Sequence, residues 1–562
     1  MPLQSSPSGA AAVHDYVVIG SGSTGAVVAA RLSESGSHTV ACLEAGTRGA
    51  GYLWTRAPAA VGHMIENPEV NWCRYAQANA GLAGRRIYLP AGKLVGGTSA
   101  LNGMIFNRGQ RMDYDGWARM GCPGWSYADV LPYFKRLEST DIGSDEFRGR
   151  TGPMRVTLAE KTSPFFDLFI ASAQACGWPL NPDYAGPTQH GVAMAQVTVH
   201  RGMRQSTATQ YLQPARGRSN LQLITGAEVS ALILERGRCV GLRYRRGGAM
   251  HELRAAREVI LCAGAVGSPK LLELSGIGDP AVLSRHGIAI ARALPGVGRN
   301  LRDHFGPPLQ WTFRDAGLSL AGRGSGWRLA RELARYLMFR TGFMSQGWCT
   351  MRAFVRSQPD VAQADIALLA NPYLVDVKGK RRVMSPVNGF FMWAQVQRPE
   401  STGSVHIQSA DPFQDPAVEV SFLATENDRR LAVLAVRRAR ELVAQPPLAD
   451  AIEREVLPGP AVETDAQILE FIRQHGSTTF HLAGTCRMGR DPMAVVDERL
   501  RVHGIGGLRV ADASIMPTLV SGNTSIPCVM IGEKCADMVL ADAAQPATGS
   551  AHPIENETCV AL

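Results

Sequence analysis

Asp15-Tyr16-Val17-Val18-Ile19-Gly20-Ser21-Gly22-Ser23-Thr24-Gly25 decides how this chain folds. Residues 15–19 form a short apolar run rich in β-branched side chains, the pattern of a strand buried in a parallel sheet. The loop from Gly20 to Gly25 follows without a spacer. Residues 26–32 read as a helix of small side chains, and residues 38–43 as a second strand ending on Glu44-Ala45-Gly46. Gly20 permits a tight turn, Gly22 lets backbone amides approach a pyrophosphate, and Gly25 lets the helix pack close to the strand. Phosphates then sit at a helix N-terminus, where unpaired N–H groups and the helix dipole favour anions. Glu44 lies 24 residues after Gly20, where an acid can hydrogen-bond a ribose hydroxyl. The unit reads as dinucleotide-binding. Alone it leaves nicotinamide and flavin both open, and a ligand-free glycine turn is the plain alternative.

Around this unit lies a long chain of 562 residues, too many for one ordinary core, so two or more domains are expected. A hydrophobic fraction of 45% and a charged fraction of 19% are those of a globular protein. The net charge of +9 is spread along the chain with no Lys/Arg block, which argues against nucleic acid as a partner. A weak peripheral attraction to anionic membrane is left open. The 11 cysteines include no CxxC and no Cys/His cluster with zinc spacing, so no metal site is expected. Cys42 and Cys262 fall inside apolar strands and read as buried thiols in a reducing, cytoplasmic compartment. Residues 1–12 lack the features of a signal peptide, and no run of about 18 apolar residues exists. Cys559-Val560-Ala561-Leu562 matches a prenylation pattern, but no basic segment precedes it and a chance match is expected.

Residues 92–104 are Gly92-Lys93-Leu94-Val95-Gly96-Gly97-Thr98-Ser99-Ala100-Leu101-Asn102-Gly103-Met104. So many small residues suggest backbone pressed against a large flat ligand. With Ile105-Phe106-Asn107-Arg108-Gly109 they closely resemble the first signature of the glucose-methanol-choline (GMC) oxidoreductases, flavoproteins that oxidise alcohols. A second apolar strand, 258–264, runs through Ala263 and Gly264 into a helical stretch ending near Gly276, and this resembles the second GMC signature. Residues 296–304, ending in Asp303-His304, continue the match. The resemblance spans residues 13–542. It implies an α/β protein whose Rossmann-like FAD-binding domain is discontinuous, over 13–155, 200–304 and 480–542. A second α+β substrate domain, built on an antiparallel sheet, would take 156–199 and 305–479, leaving 1–12 and 543–562 as flexible tails.

The cofactor is therefore expected to be FAD. The residues expected around it are Gly20, Ser21, Gly22, Ser23, Thr24, Gly25, Glu44 and Ala45. Trp72, Gly92, Val95, Gly96, Gly97, Ser99, Asn102, Gly103 and Met104 join them, with Val229 by the adenine half. Ala263, Gly264, Asp512, Ala513, Asn523 and Thr524 complete the set. Some family members bond the flavin covalently through a His of the first signature. The matching residue here is Leu101, so the flavin is expected to be non-covalent. His304 reads as structural.

From 305 to about 474 helical patterns at 329–339 and 429–442 mix with alternating stretches at 391–397 and 404–408. Phe391, Trp393 and Gln395 would share one strand face. Phe343 and Trp348 sit in a Gly-rich loop. Together they could line an apolar pocket, although each singly reads as core.

The chemistry is expected at the C-terminal end. In Thr479-Phe480-His481-Leu482-Ala483-Gly484-Thr485, the resemblance places His481 against the flavin ring, and it places Asn523 at the family's second catalytic position. Alcohol oxidation removes a proton and a hydride from one CH–OH group, so a base neutral near pH 7 is needed, and His supplies it. Asn523 can donate to the oxygen while leaving His481 the only base. The expected reaction is FAD-dependent oxidation of a primary alcohol to an aldehyde, with electrons passing to a quinone-like acceptor. The alternatives are an oxidase using oxygen and a redox-silent hydroxynitrile lyase. An uncharged alcohol is the expected substrate, because no aromatic cage with an acid is visible for a trimethylammonium group.

Overall fold

The computed structural model describes residues 12–49, 51–347, 349–378 and 381–544. The expected flexible tails lie outside these, apart from Ala12, Ala543 and Ala544, of which the last two continue the final helix Ser525–Ala544. Trp348 and the Cys559 motif also lie outside the described residues.

The opening stretch forms the strand Val13–Ile19, the helix Gly25–Leu32 and the strand Val40–Glu44. Val17, Val18 and Ile19 are buried, each worth about 1.5–3 kcal/mol relative to exposure. These strands lie inside a seven-stranded sheet. Its order runs Leu221–Thr225, Val40–Glu44, Val13–Ile19, Ala249–Leu261, Arg238–Arg246, Glu228–Glu235. The strand Ala249–Leu261 serves two neighbourhoods. Its first half pairs antiparallel with Arg238–Arg246, and its last residues pair parallel with Val13–Ile19 and Leu508–Val510. Ile19, Leu43, Leu261 and Val510 are therefore in register at one edge. The residues just past them, Gly20, Glu44, Cys262 and Ala511, sit together outside the carboxyl ends of parallel strands, where open α/β sheets bind ligands.

Between 191 and 457 the chain builds a six-stranded, fully antiparallel sheet. Its order is Ile452–Leu457, Pro308–Phe313, Gly389–Val396, Ile366–Asn371, Met351–Val355, Gly191–Met194. One face packs under the helices Phe165–Ala175 and Glu426–Val443, through Met351, Leu368, Phe390, Met392 and their neighbours. The opposite face carries Ala193, Phe354, Leu369, Phe391 and Trp393. Gly389–Val396 is buried along its whole length rather than on alternate residues, because helices cover one side and the interior of the molecule the other.

The last helix returns to the first. Gly532 allows this approach, since a Cβ there would meet Thr24 O at 2.9 Å. Thr24 Oγ1 donates to Cys528 O at 2.9 Å. The buried Glu533 carboxylate accepts from Arg31 at 2.9 Å and from Tyr211 OH at 2.8 Å. Among the described residues ten cysteines are free thiols, and no helix is long and apolar enough to cross a membrane.

Candidate active site

A cavity of about 1450 Å³ lies between the two sheets, larger than the roughly 300–1,000 Å³ typical of a single drug-sized ligand. Gly20, Gly22, Ser23, Thr24, Glu44 and Ala45 form one end, and Trp72 and Val229 flank it. Gly92, Gly97, Asn102, Gly103 and Met104 form a side, opposite Ala263, Gly264, Asp512, Ala513 and Thr524. His481 and Asn523 also line it, as do Phe391 and Trp393 of the antiparallel sheet.

The glycines distinguish packing from ligand space. A Cβ on Gly20, whose φ is +94°, would meet Cys262 O at 2.5 Å, and one on Gly97 would meet Gly22 Cα at 2.7 Å. A Cβ on Gly22 would meet nothing nearer than 4.0 Å. Glycine at 22 therefore keeps clear the cavity, not the protein. The helix Gly25–Leu32 starts beside it, and the positive end of its dipole favours an anion there. Glu44 is fixed by Ser21 N at 3.1 Å and Ser21 Oγ at 2.7 Å on one oxygen, and Gly46 N at 3.0 Å on the other. Burial pushes its carboxyl above the usual range, against these donors and Lys93. Asp512 accepts from Gly264 N at 2.9 Å and Ser268 Oγ at 2.6 Å, tying the second glycine turn to the C-terminal segment. The cradle, the helix start and the acid together fit a dinucleotide.

Five expected cofactor residues do not line the cavity. Ser21 faces Glu44. Gly25 sits where a Cβ would strike Gly20 O at 1.9 Å. Val95 is in the core, its N–H donating to Arg48 O at 3.0 Å. Gly96 N donates to Ser21 O at 2.9 Å, and Ser99 Oγ to Gly96 O at 2.6 Å. These hold the two loops together from behind. Phe343 and Gln395 also stay outside the lining, whereas Leu101 is part of it.

His481 is held by two chain segments that run antiparallel, with Arg302 opposite Ala483 and Phe305 opposite Thr478. Asp303 Oδ1 accepts from His481 N at 2.8 Å, and its other oxygen accepts from Thr478 Oγ1. The pairing sets His304 Nδ1 2.9 Å from His481 Nδ1, with the rings edge to face. His304 Nε2 lies 2.9 Å from the Gln397 carbonyl. A carbonyl only accepts, so Nε2 of His304 carries the proton and its Nδ1 lone pair accepts from His481 Nδ1–H. Thr479 Oγ1 lies 3.0 Å from the same nitrogen. That leaves the lone pair of His481 on Nε2, 3.0 Å from Asn523 Nδ2, which donates to it. Burial depresses both imidazoles, His304 to about 4 and His481 well below its ordinary value, the latter helped by His304 and Arg352. His481 is thus a neutral imidazole that lines the cavity, with its lone pair on the nitrogen beside Asn523. His304, read from the sequence as structural, touches the catalytic candidate directly.

Against known proteins, two family models described as GMC oxidoreductase match residues 14–306 and 399–532. The chain belongs to the GMC oxidoreductase family. The oxygen-dependent choline dehydrogenase of Brucella ovis is 38% identical over 528 residues, covering 94% of this chain and 95% of that protein. The enzyme of the same description from Rhizobium rhizogenes is 39% identical over 531 residues, with the same coverage. Among solved structures, pyridoxine 4-oxidase from Mesorbium loti superposes with a TM-score of 0.84 at 29% identity, over 93% of this chain and 98% of that one. This GMC chain is a flavin-dependent oxidoreductase, and the dinucleotide its cradle fits is FAD.

Proposed function

We propose that the chain oxidises a primary alcohol to an aldehyde, with His481 as general base. The observation that carries this is the ordered chain from Gln397 O through His304 and His481 to Asn523, which leaves the lone pair of His481 on Nε2, held by Asn523 Nδ2 until a substrate hydroxyl takes that place, with both residues lining the cavity. That nitrogen would take the hydroxyl proton. Asn523 Nδ2, poised beside it, would donate to the substrate oxygen as its charge grows. The glycine loop and Glu44 would hold the phosphates and ribose, and Gly97, Gly103 and Ala513 would bound the ring. Bound FAD supplies the hydride acceptor.

Anaerobic mixing of the holoenzyme with a panel of alcohols tests the reading. Bleaching of the flavin supports it. Failure of every alcohol, with cyanohydrin cleavage instead, would favour the lyase reading. Electrons are proposed to leave to a quinone-like acceptor. Oxygen uptake that outpaces dye reduction would move the assignment to an oxidase, the chemistry named in several relatives.

A peripheral membrane site fits the helix Gly326–Phe339. Trp327, Leu337 and Met338 are each about two-thirds exposed and share a stripe with Ala330 and Ala334. Arg328, Arg331 and Arg335 form the adjacent stripe, while Glu332 and Tyr336 face inward. An apolar stripe beside a basic one suits an anionic lipid surface.

A further inference from the structure

The cavity wall formed by the antiparallel sheet carries a charge that the alcohol chemistry does not use. Ala193, Arg352, Leu369 and Trp393 are in register across four strands and point to the same face. Their surroundings are apolar, with Tyr184, Phe354 and Phe391 nearby. Arg352 is 3% exposed and lines the cavity that His481 also lines. Among the described residues no carboxylate pairs with it, and its buried Nε has no hydrogen-bond partner. Buried Arg148 is matched to Glu138 at 2.9 Å and Asp183 at 2.5 Å, and Arg509 to Glu258 at 2.6 Å, while Arg204, which also has no carboxylate among the described residues, at least donates to Asn102 O at 2.6 Å and Asn102 Oδ1 at 2.9 Å.

A guanidinium buried without a counter-ion is costly, so its position calls for an anion that arrives from outside. The FAD phosphates do not fill this role, because the glycine loop that suits them belongs to the other sheet. One planar cation matches one planar, singly charged anion, which is a carboxylate. Of the four acids that line the cavity, Glu44 and Asp512 are committed to backbone donors and Glu228 to Arg245 at 3.0 Å, and the fourth, Glu66, forms no ion pair with Arg352. A trimethylammonium group on this wall would meet a like charge.

We propose that Arg352 is a substrate-binding residue that takes the carboxylate of the alcohol, so that the substrate is a hydroxymethyl carboxylate rather than choline. This rests on the alcohol-oxidation reading above. The CH–OH group loses its O–H proton to His481 and a C–H hydrogen as hydride to FAD, leaving the C=O of the aldehyde, and the carboxylate is unchanged. Its role is to orient the far end of the molecule.

The test uses the holoenzyme with 4-(hydroxymethyl)benzoate, its neutral amide 4-(hydroxymethyl)benzamide, and choline, followed by anaerobic flavin reduction. The acid is expected to be favoured over the amide by about 10- to 100-fold in kcat/KM, the range of one charge-assisted hydrogen-bonded pair. In Arg352→Met the ratio falls toward one, and in Arg352→Lys part of it returns. A wild-type preference for choline or for the amide overturns the proposal. So does an unchanged ratio in Arg352→Met, or an equal loss on both substrates with a displaced flavin spectrum, which would make Arg352 a flavin contact. Benzoate titration, read as a perturbation of the flavin absorbance, needs no turnover. If no alcohol bleaches the flavin, the reaction reading fails, yet benzoate binding that weakens about tenfold or more in Arg352→Met still supports the anion site. Absence of that binding in the wild type refutes it, and this arm and the wild-type substrate ratio hold even if Arg352→Met does not fold.

Discussion

His304 Nδ1 lies 2.9 Å from His481 Nδ1, although the two residues are 177 positions apart in the chain. The contact makes the tautomer of His481 depend on a residue outside the cavity lining. His304→Leu removes the ring acceptor and leaves His481 Nδ1 only Thr479 Oγ1, at 3.0 Å, a loss of about 1–3 kcal/mol. Flavin reduction is expected to slow about 10- to 100-fold with FAD still bound. His304→Gln, whose amide oxygen can accept, should recover part of the rate. A purely structural role predicts lower thermal stability with an unchanged rate per bound flavin.

His481→Ala is expected to keep FAD and lose about 10²–10⁴-fold in the rate of flavin reduction. Stopped-flow reduction under anaerobic conditions measures this. Near-wild-type reduction would remove His481 from the role of base.

The pH behaviour follows from burial. The folded pKa of His481 is depressed, so the base stays neutral below 6.5, and the acid limb of kcat/KM is expected under that value. An acid limb at 6.5 or above counts against a neutral, buried base. For His304, depressed to about 4, the linked stability is present above 6.5 and is lost as pH falls toward 4. Asp303 has the opposite sign. Burial raises its carboxyl to about 7 from 3.8, so its contribution is complete below 3.8 and is lost as pH rises through 7. Asp303→Asn should remove that fall from a plot of Tm against pH between 3.8 and about 7.

Leu101 lines the cavity, and its side chain offers no nucleophile for a covalent flavin bond. Acid precipitation is expected to release intact FAD into the supernatant. Flavin that pellets with the protein would contradict this.

The amphipathic helix predicts sedimentation with vesicles containing phosphatidylglycerol and not with phosphatidylcholine alone. Combined Arg328→Glu, Arg331→Glu and Arg335→Glu should weaken that binding about 100-fold or more, at roughly 1 kcal/mol for each basic residue near an anionic surface. Equal partitioning of both forms would show that the stripe serves another purpose.

Much of the cofactor half was legible because its signals are local. Valine and isoleucine in residues 16–19, glycines at fixed offsets and one acid describe a strand, a turn and an anion site within a single window. What the window hides is which loop residues face the ligand and which face each other. Ser21 and Ser99 have the same small, polar character as Ser23, yet they bond to Glu44 and Gly96. The contact between the two histidines was less legible, since His304 and His481 meet only because two distant segments align at Arg302 and Ala483. Arg352 was missed, although it left a trace: a charge in the middle of Met351–Val355, a strand buried throughout. A strand interior tolerates such a residue only if its side chain reaches something other than core.

The cavity's two walls are made of different material. One is main chain at the ends of parallel strands, where glycines leave no side chain to exchange. The other is the flat side of a sheet, where each position presents a replaceable group to the ligand. Evolution can therefore rewrite the second wall residue by residue while the first stays fixed. A lineage of this architecture can trade one alcohol for another without relearning how to hold its flavin.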